Sequence, residues 1–220
     1  MNNSSIYIFH IFTMAIAISC GKPTPETRQQ QPEAVAEESA KEFTIDTRST
    51  TLGWQGSKNA GTHHGTIQLK SGTLSIEKNK VTAGNFVVNM KTIVDKDLTD
   101  PKENKKLVDD LSGENFFEVE KYPVSTFTIT KSTKSEKADA TGNNYSIQGN
   151  LTIKDVTRNI TIQATIVIKG NELTARSTFS ISRKEFNLQY AKGKIFRGMG
   201  DSIIHDTIEF NLVLKASAQK

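Results

Sequence analysis

From Phe43 to the end of the chain, apolar and polar residues alternate with a period of two, the signature of strands that bury one face. Ile67 and Leu69, then Leu74 and Ile76, stand on either side of Ser71-Gly72, which reads as a turn. Ala83-Gly84-Asn85 leads into Phe86-Val87-Val88-Asn89-Met90. Tyr122, Val124 and Phe127 to Ile129 make one further strand, and Tyr145, Ile147, Leu151 and Ile153 another. Ile160, Ile162, Ala164, Ile166 and Ile168 hold one parity over nine positions, and Gly170-Asn171 then turns the chain into Leu173, Ala175, Ser177, Phe179 and Ile181, a hairpin. Ile208, Phe210, Leu212 and Leu214 form the last strand.

One segment departs from this rhythm. In DPKENKKLVDDLSG, Asp100 suits an N-cap, Pro101 the first helical position, Glu103 the capping box and Gly113 the stop. Leu107, Val108 and Leu111 give this short helix one apolar stripe to lay on the sheet. The adjacent Phe116 and Phe117 that follow would face opposite ways on a strand, and Pro123 is tolerated where a strand begins or lies at an edge. Many short strands, one helix and no βαβ rhythm predict an antiparallel sandwich or barrel. Closure into about eight strands gives an interior that side chains can fill or that can hold one small ligand.

The first 42 residues follow a different pattern. Residues 1–20 contain no Lys, Arg, Asp or Glu and carry an apolar run, Ile11 to Ile18, too short to span a bilayer as a helix, so they read as an export signal. The run ends in Ala-Ile-Ser-Cys, similar to a lipobox, which makes Cys20 the candidate lipidation site and the mature N-terminus. Ala17 stands there where Leu is usual, and the segment lacks a basic start. Cys20 is also the sole cysteine, so an exported chain has no internal disulfide to form with it. Residues 21–42 are rich in Pro, Gln and Glu with Val35 as the one large apolar residue, the composition of a disordered tether. The domain is expected over residues 43–220, with 25 basic against 19 acidic residues, or +6. No basic block interleaved with aromatics occurs, which argues against a nucleic-acid partner. Oligomeric state leaves no mark in the sequence.

Candidate chemistry is sparse. His63 and His64 are consecutive, so on a strand their side chains diverge, and only His10 and His205 accompany them; no metal site is expected. There is no G-x-S-x-G and no recognisable Ser-His-acid set, and the carboxylates read as solvated faces and turns. No catalytic residue is nominated.

Four stretches in order, ENFFEVEKYPVSTFTI, GNLTIKDVTRNITI, ISRKEFNLQY and MGDSIIHDTIEFNLVL, resemble the YceI-like family of exported lipid-binding proteins, from about Phe43 to Lys215. The resemblance implies an extended, lipocalin-like, eight-stranded antiparallel β-barrel with one short helix, whose apolar interior binds a polyisoprenoid or isoprenoid-quinone chain. The chain departs from the family at Ser49 and Asn59, where many members carry His, at Trp54, where Phe is common, and at Asp110, where a His-Leu pair is frequent. Parity and the resemblance together nominate Trp54, Ile67, Phe86, Val88, Phe116, Phe117, Tyr122, Phe127, Phe179, Phe186 and Tyr190 as lipid-binding residues. Arg158, Arg183, Lys184, Lys192 and Arg197 lie in or beside the motifs and are the candidates for holding an anionic head group through charge-assisted hydrogen bonds. The expectation is therefore non-enzymatic binding or transport of an isoprenoid lipid, with no cofactor. The protein would be anchored in the cell envelope, on the periplasmic side of the outer membrane. The alternatives are a structural or stress-related lipoprotein with a filled barrel, and an enzyme acting on such a lipid.

Overall fold

The computed structural model describes residues 40–58, 61–189 and 204–218. The export signal, Cys20, nearly all of the tether, Asn59, Tyr190, Lys192 and Arg197 lie outside the described residues. Nine strands and one helix follow in order: β1 (Lys41–Ile45), β2 (Thr51–Lys58), β3 (Gly61–Glu77), β4 (Lys80–Asp95), α1 (Pro101–Ser112), β5 (Val124–Lys134), β6 (Tyr145–Ile153), β7 (Val156–Lys169), β8 (Glu172–Ser182) and β9 (Ile204–Ala218). A short 3-10 turn, Arg183–Phe186, follows β8.

All the pairings are antiparallel, and the order β3-β2-β9-β8-β7-β6-β5-β4 closes on itself through the β3–β4 pair. This is an eight-stranded barrel. β1 is the ninth strand: it pairs with β3 at Phe43 opposite Leu74 and with β9 at Phe43 opposite Ala218. β2 lies between the same two neighbours further along, with Trp54 opposite Gly65 and Phe210. β1 and β2 thus occupy one slot in succession, interrupted at residues 46–50, where Asp46 Oδ1 accepts the Arg48 and Ser49 N–H groups.

The alternation predicted for β7 and β8 is present, and Gly170, at φ 60°, makes the turn between them. Ser71-Gly72 is not a turn. β3 runs straight through it for 17 residues with a register irregularity between Leu69 and Ser71, and the chain reverses instead at Lys78 and Asn79, both with positive φ. Gly72 is needed for close approach, since a Cβ there would lie 2.8 Å from Ile45 Cγ1. Gly149 on β6 has the same role: a Cβ would come within 2.3 Å of Phe127 Cζ, so the missing side chain makes room for the ring.

Helix α1 begins as expected. Asp100 Oδ1 accepts the N–H groups of Lys102 and Glu103, and Pro101 occupies the first turn. Gly113 ends the helix in extended backbone rather than the left-handed region. The next residues form tight turns instead of entering a strand, with Phe117 N–H donating to Leu111 O and Phe116 N–H to Gly113 O. Phe116 and Phe117 consequently do not diverge as on a strand. Both are buried, in an edge-to-face pair with centroids 4.8 Å apart.

The two ends of the barrel differ. At one end lie the β3–β4, β5–β6 and β7–β8 reversals, and there Phe43, Tyr145 and Leu173, each only 1% exposed, pack the interior. At the other end lie the β2–β3 and β6–β7 reversals, α1, and the 3-10 turn.

Candidate functional site

Between these ends runs a cavity of about 620 Å³. Its wall is built from the inward parity of the strands: Leu52 and Trp54 of β2, Ile67, Leu69 and Leu74 of β3, Phe86, Val88, Met90 and Ile93 of β4, Phe127 and Ile129 of β5, and Ile160, Ile162, Ala164 and Ile166 of β7. Phe179 and Phe210 stack with centroids 5.3 Å apart, and Phe86 and Phe127 tilt against each other at 6.2 Å. Trp54 is fixed by its indole N–H, which donates to Val94 O at 3.2 Å. The charged lining residues gather at the end that carries α1: Lys58, His63, Glu103, Lys106, Asp110, Arg183 and His205. Leu107 and Leu111, from the apolar stripe of α1, complete the wall there.

Eight of the nominated residues line this cavity: Trp54, Ile67, Phe86, Val88, Phe116, Phe117, Phe127 and Phe179. Tyr122 does not. It precedes β5, its hydroxyl lies 3.5 Å from Asp155 Oδ2, and Lys121 covers its ring at 5.0 Å. Phe186 is fully buried in the core and is not part of the cavity wall. The rest of the aliphatic lining, Leu69 and Leu74 of β3, Met90 and Ile93 of β4 and the β7 residues, is not among the nominated residues, although the parity of Ile160, Ile162, Ala164 and Ile166 carries that signal.

Of the basic candidates, Arg183 reaches the cavity, but its guanidinium is engaged with Asp206 Oδ1 at 3.0 Å and Leu188 O at 3.2 Å. Lys184 points to solvent and pairs with Asp206 at 2.5 Å. The Lys184 ammonium, seconded by Arg183, holds the Asp206 carboxyl below its usual range. Arg158 is exposed on β7, where its Nη1 donates to Thr157 O.

The polar feature that sequence reasoning missed lies at this same end. His63 lines the cavity and the His64 ring is largely exposed, but the residues just after β4 bring one carboxylate close to both. Lys96 N–H donates to His64 O, which holds the start of β3 against the chain leaving β4. Asp97 Oδ2 then lies 2.9 Å from His63 Nδ1, and Asp97 Oδ1 accepts the His64 N–H at 2.7 Å. The His64 ring, 57% exposed, stands 3.6 Å from the same carboxylate. Asp95, 7% exposed, is the third member. Burial, with Asp97 close by, raises the Asp95 carboxyl above its usual range. Burial works in the same direction on Asp97 but is outweighed by the hydrogen bonds from the His64 N–H and from His63, so Asp97 is lowered. Counting histidines alone therefore understated the ligand supply: His63 has two carboxylates within reach.

The strands and this interior define a closed antiparallel β-barrel built around a mostly apolar cavity, with its charges at one end. The model of the YceI-like domain matches residues 43–216, and the chain belongs to that family. Among curated relatives it is 33% identical over 84 residues to the UPF0312 proteins of Yersinia pestis (strain Pestoides F) and Yersinia pseudotuberculosis (serotype O:1b, strain IP 31758). That match covers 36% of this chain and 41% of those relatives, well under half of their length. Among solved structures, Burkholderia cenocepacia BcnA aligns with a TM-score of 0.57 at 21% identity, covering 79% of this chain and 99% of that one. A polyisoprenoid binding domain from Saccharophagus degradans, implicated in plant cell wall breakdown, aligns at 0.56 and 13% identity, covering 80% and 98%. At these identities both structures speak for the shared fold.

Proposed function

We propose that the barrel binds an isoprenoid lipid in its cavity without covalent chemistry, and carries or holds it near a membrane. The observation that carries this reading is the cavity itself. A barrel of eight strands can fill its interior with side chains, yet this one keeps about 620 Å³ walled by aliphatic and aromatic groups. That is a volume typical of small-molecule sites, and it counts against the filled-barrel alternative. Each buried ligand CH₂ contributes roughly 0.8 kcal/mol, so a branched hydrocarbon chain binds well with few polar contacts. The charged lining at the α1 end is where a polar head group, a phosphate or a quinone, would lie. Membership of the YceI-like family and the polyisoprenoid-binding Saccharophagus neighbour are in keeping with that ligand class.

The reading extends to the N-terminal segment. Lipidation at Cys20 and a tether over residues 21–42 would keep the barrel on the periplasmic side of the outer membrane, where a tethered carrier meets its ligand at a high effective concentration. Labelling with a fatty-acid analogue tests this part: the parent chain should be labelled, and equal labelling of Cys20→Ala would refute it.

The ligand itself is tested by extracting the purified full-length chain and identifying co-purified lipid by mass spectrometry. A stoichiometric isoprenoid is the expected result. A chain that brings no lipid with it and takes up neither isoprenoid quinones nor polyprenyl phosphates would overturn the reading.

A further inference from the structure

Asp95 closes β4 and is buried among Leu98, Asn104 and the start of β3. Its Oδ1 is well supplied, accepting the Leu98 N–H at 2.9 Å and the Asn104 side-chain amide at 3.1 Å. The same amide donates to Asp95 O and Leu98 O, so the carboxylate is held in one orientation. Its Oδ2 is buried with no N–H or O–H group donating to it, and the group beside it is the Asp97 carboxylate. Two carboxylates side by side, one buried and one half-buried, without a donor between them are costly, and the arrangement calls for a proton, a water or a cation at that point.

What adjoins it is a set of donors that coordinate metals. One ligand atom each from His63, Asp95 and Asp97 lies within 4.8 Å of the others. An ion about 2.1 Å from each would bring tetrahedrally placed ligand atoms to about 3.4 Å apart, so closure asks for side-chain adjustments of an ångström or so. The outer contacts are also in place. The His64 N–H orients Asp97, and the Leu98 N–H with the Asn104 amide orients Asp95, the kind of support that holds metal ligands in position. The three residues come from two backbone segments pinned together by the Lys96–His64 hydrogen bond, so the site belongs to the barrel rather than to a loop tip.

We infer that His63, Asp95 and Asp97 form a divalent-cation site at the charged end of the barrel, with Zn²⁺ as the best-matched ion and His63 bringing it to the cavity wall. One imidazole and two carboxylates satisfy a borderline cation, and three protein ligands leave a position for water or for a ligand oxygen. Magnesium fits less well, because it prefers an octahedral shell of oxygens and its own waters.

The inference is tested on the full-length chain, stripped with chelator and titrated with ZnCl₂ by calorimetry, without any lipid. One Zn²⁺ per chain at micromolar affinity or tighter is expected. Asp95→Asn keeps the shape and the Leu98 and Asn104 contacts of Oδ1 while removing the charge, and it should weaken binding at least tenfold, as should His63→Ala. The His63 ring nitrogens should shift in ¹⁵N NMR spectra on Zn²⁺ addition. A parent chain that binds no Zn²⁺ would overturn the site and leave the two carboxylates sharing a proton. Zn²⁺ bound equally well by parent and a folded Asp95→Asn would place the ion elsewhere and overturn it too. Should Asp95→Asn fail to fold, the His63 spectrum and His63→Ala decide. Because the readout uses no lipid, its failure leaves the proposed function standing, and an absent lipid leaves the cation site standing.

Discussion

The two ends of this barrel are made from the same strands, and they behave differently because of what each reversal leaves behind. Where β3–β4, β5–β6 and β7–β8 reverse, large apolar residues of the same inward parity meet, and Phe43, Tyr145 and Leu173 exclude space altogether. At the other end β4 leaves the sheet for α1 and β8 for the 3-10 turn, so the wall is finished by a helix, by turns and by charged side chains. The strand pattern is therefore sufficient to close a barrel but not to decide whether it is solid. That is settled by the side chains contributed at each end.

The sharpest way to break the comparison is to exchange the roles of packed and open interior. Leu173→Ala at the packed end should cost about 2–5 kcal/mol in urea unfolding, since a fully buried leucine leaves a cavity behind. Its effect on lipid uptake should be small. Val88→Phe, which places a ring into the cavity from a wall position that is only half-buried, should do the reverse: little change in the unfolding midpoint and a tenfold or greater loss of isoprenoid retention. Equal effects of the two on stability would show that the cavity is as tightly packed as the plug.

A smaller effect is expected at the cap of the helix that finishes the open end. Asp100→Ala removes the acceptor for two N–H groups, worth about 1 kcal/mol. Hydrogen exchange should report a loss of protection of about fivefold across residues 101–112, with the amides around Leu173 unchanged. Fraying that spread to the packed end would contradict independent ends.

The smallest effect concerns the β5–β6 loop at the packed end. Asp139 accepts hydrogen bonds first from the Thr141 hydroxyl, then from the Asn143 amide and backbone, which lowers its pKa to about 2. A carboxyl with its folded pKa depressed stabilises the loop above the ordinary value near 3.8, and this contribution is lost as pH falls towards 2. The difference in loop exchange rates between parent and Asp139→Ala should be full at pH 6 and shrink from about pH 4 downward. A difference independent of pH across that window would assign the loop's order to something other than the carboxylate.

Local pattern made much of this legible. The β7–β8 hairpin was visible because parity and a Gly-Asn turn are properties of neighbouring residues, and the Asp100 cap because its partners are two and three residues away. Ser71-Gly72 misled for a related reason. A glycine in an alternating run signals either a turn or a close approach, and only the crossing of Ile45, 27 residues earlier, shows which. Phe116 and Phe117 would diverge on a strand, but β5 begins only at Val124, near the expected start at Tyr122, and the two rings sit in the turns before it.

The sequence by itself determined the class of fold, the placement of α1 and most of the aromatic lining, since a period of two commits each residue to one face whatever the partner strand is. It also sufficed to suggest the family. Only the tertiary structure decided that β1 and β2 share one slot, that the interior is open in the middle and plugged at one end, and that Arg183 and Lys184 are committed to Asp206. It alone brought Asp95 and Asp97 to His63 across more than thirty residues of chain. Strand register sets such distances, and register is a property of the closed sheet rather than of any segment in it.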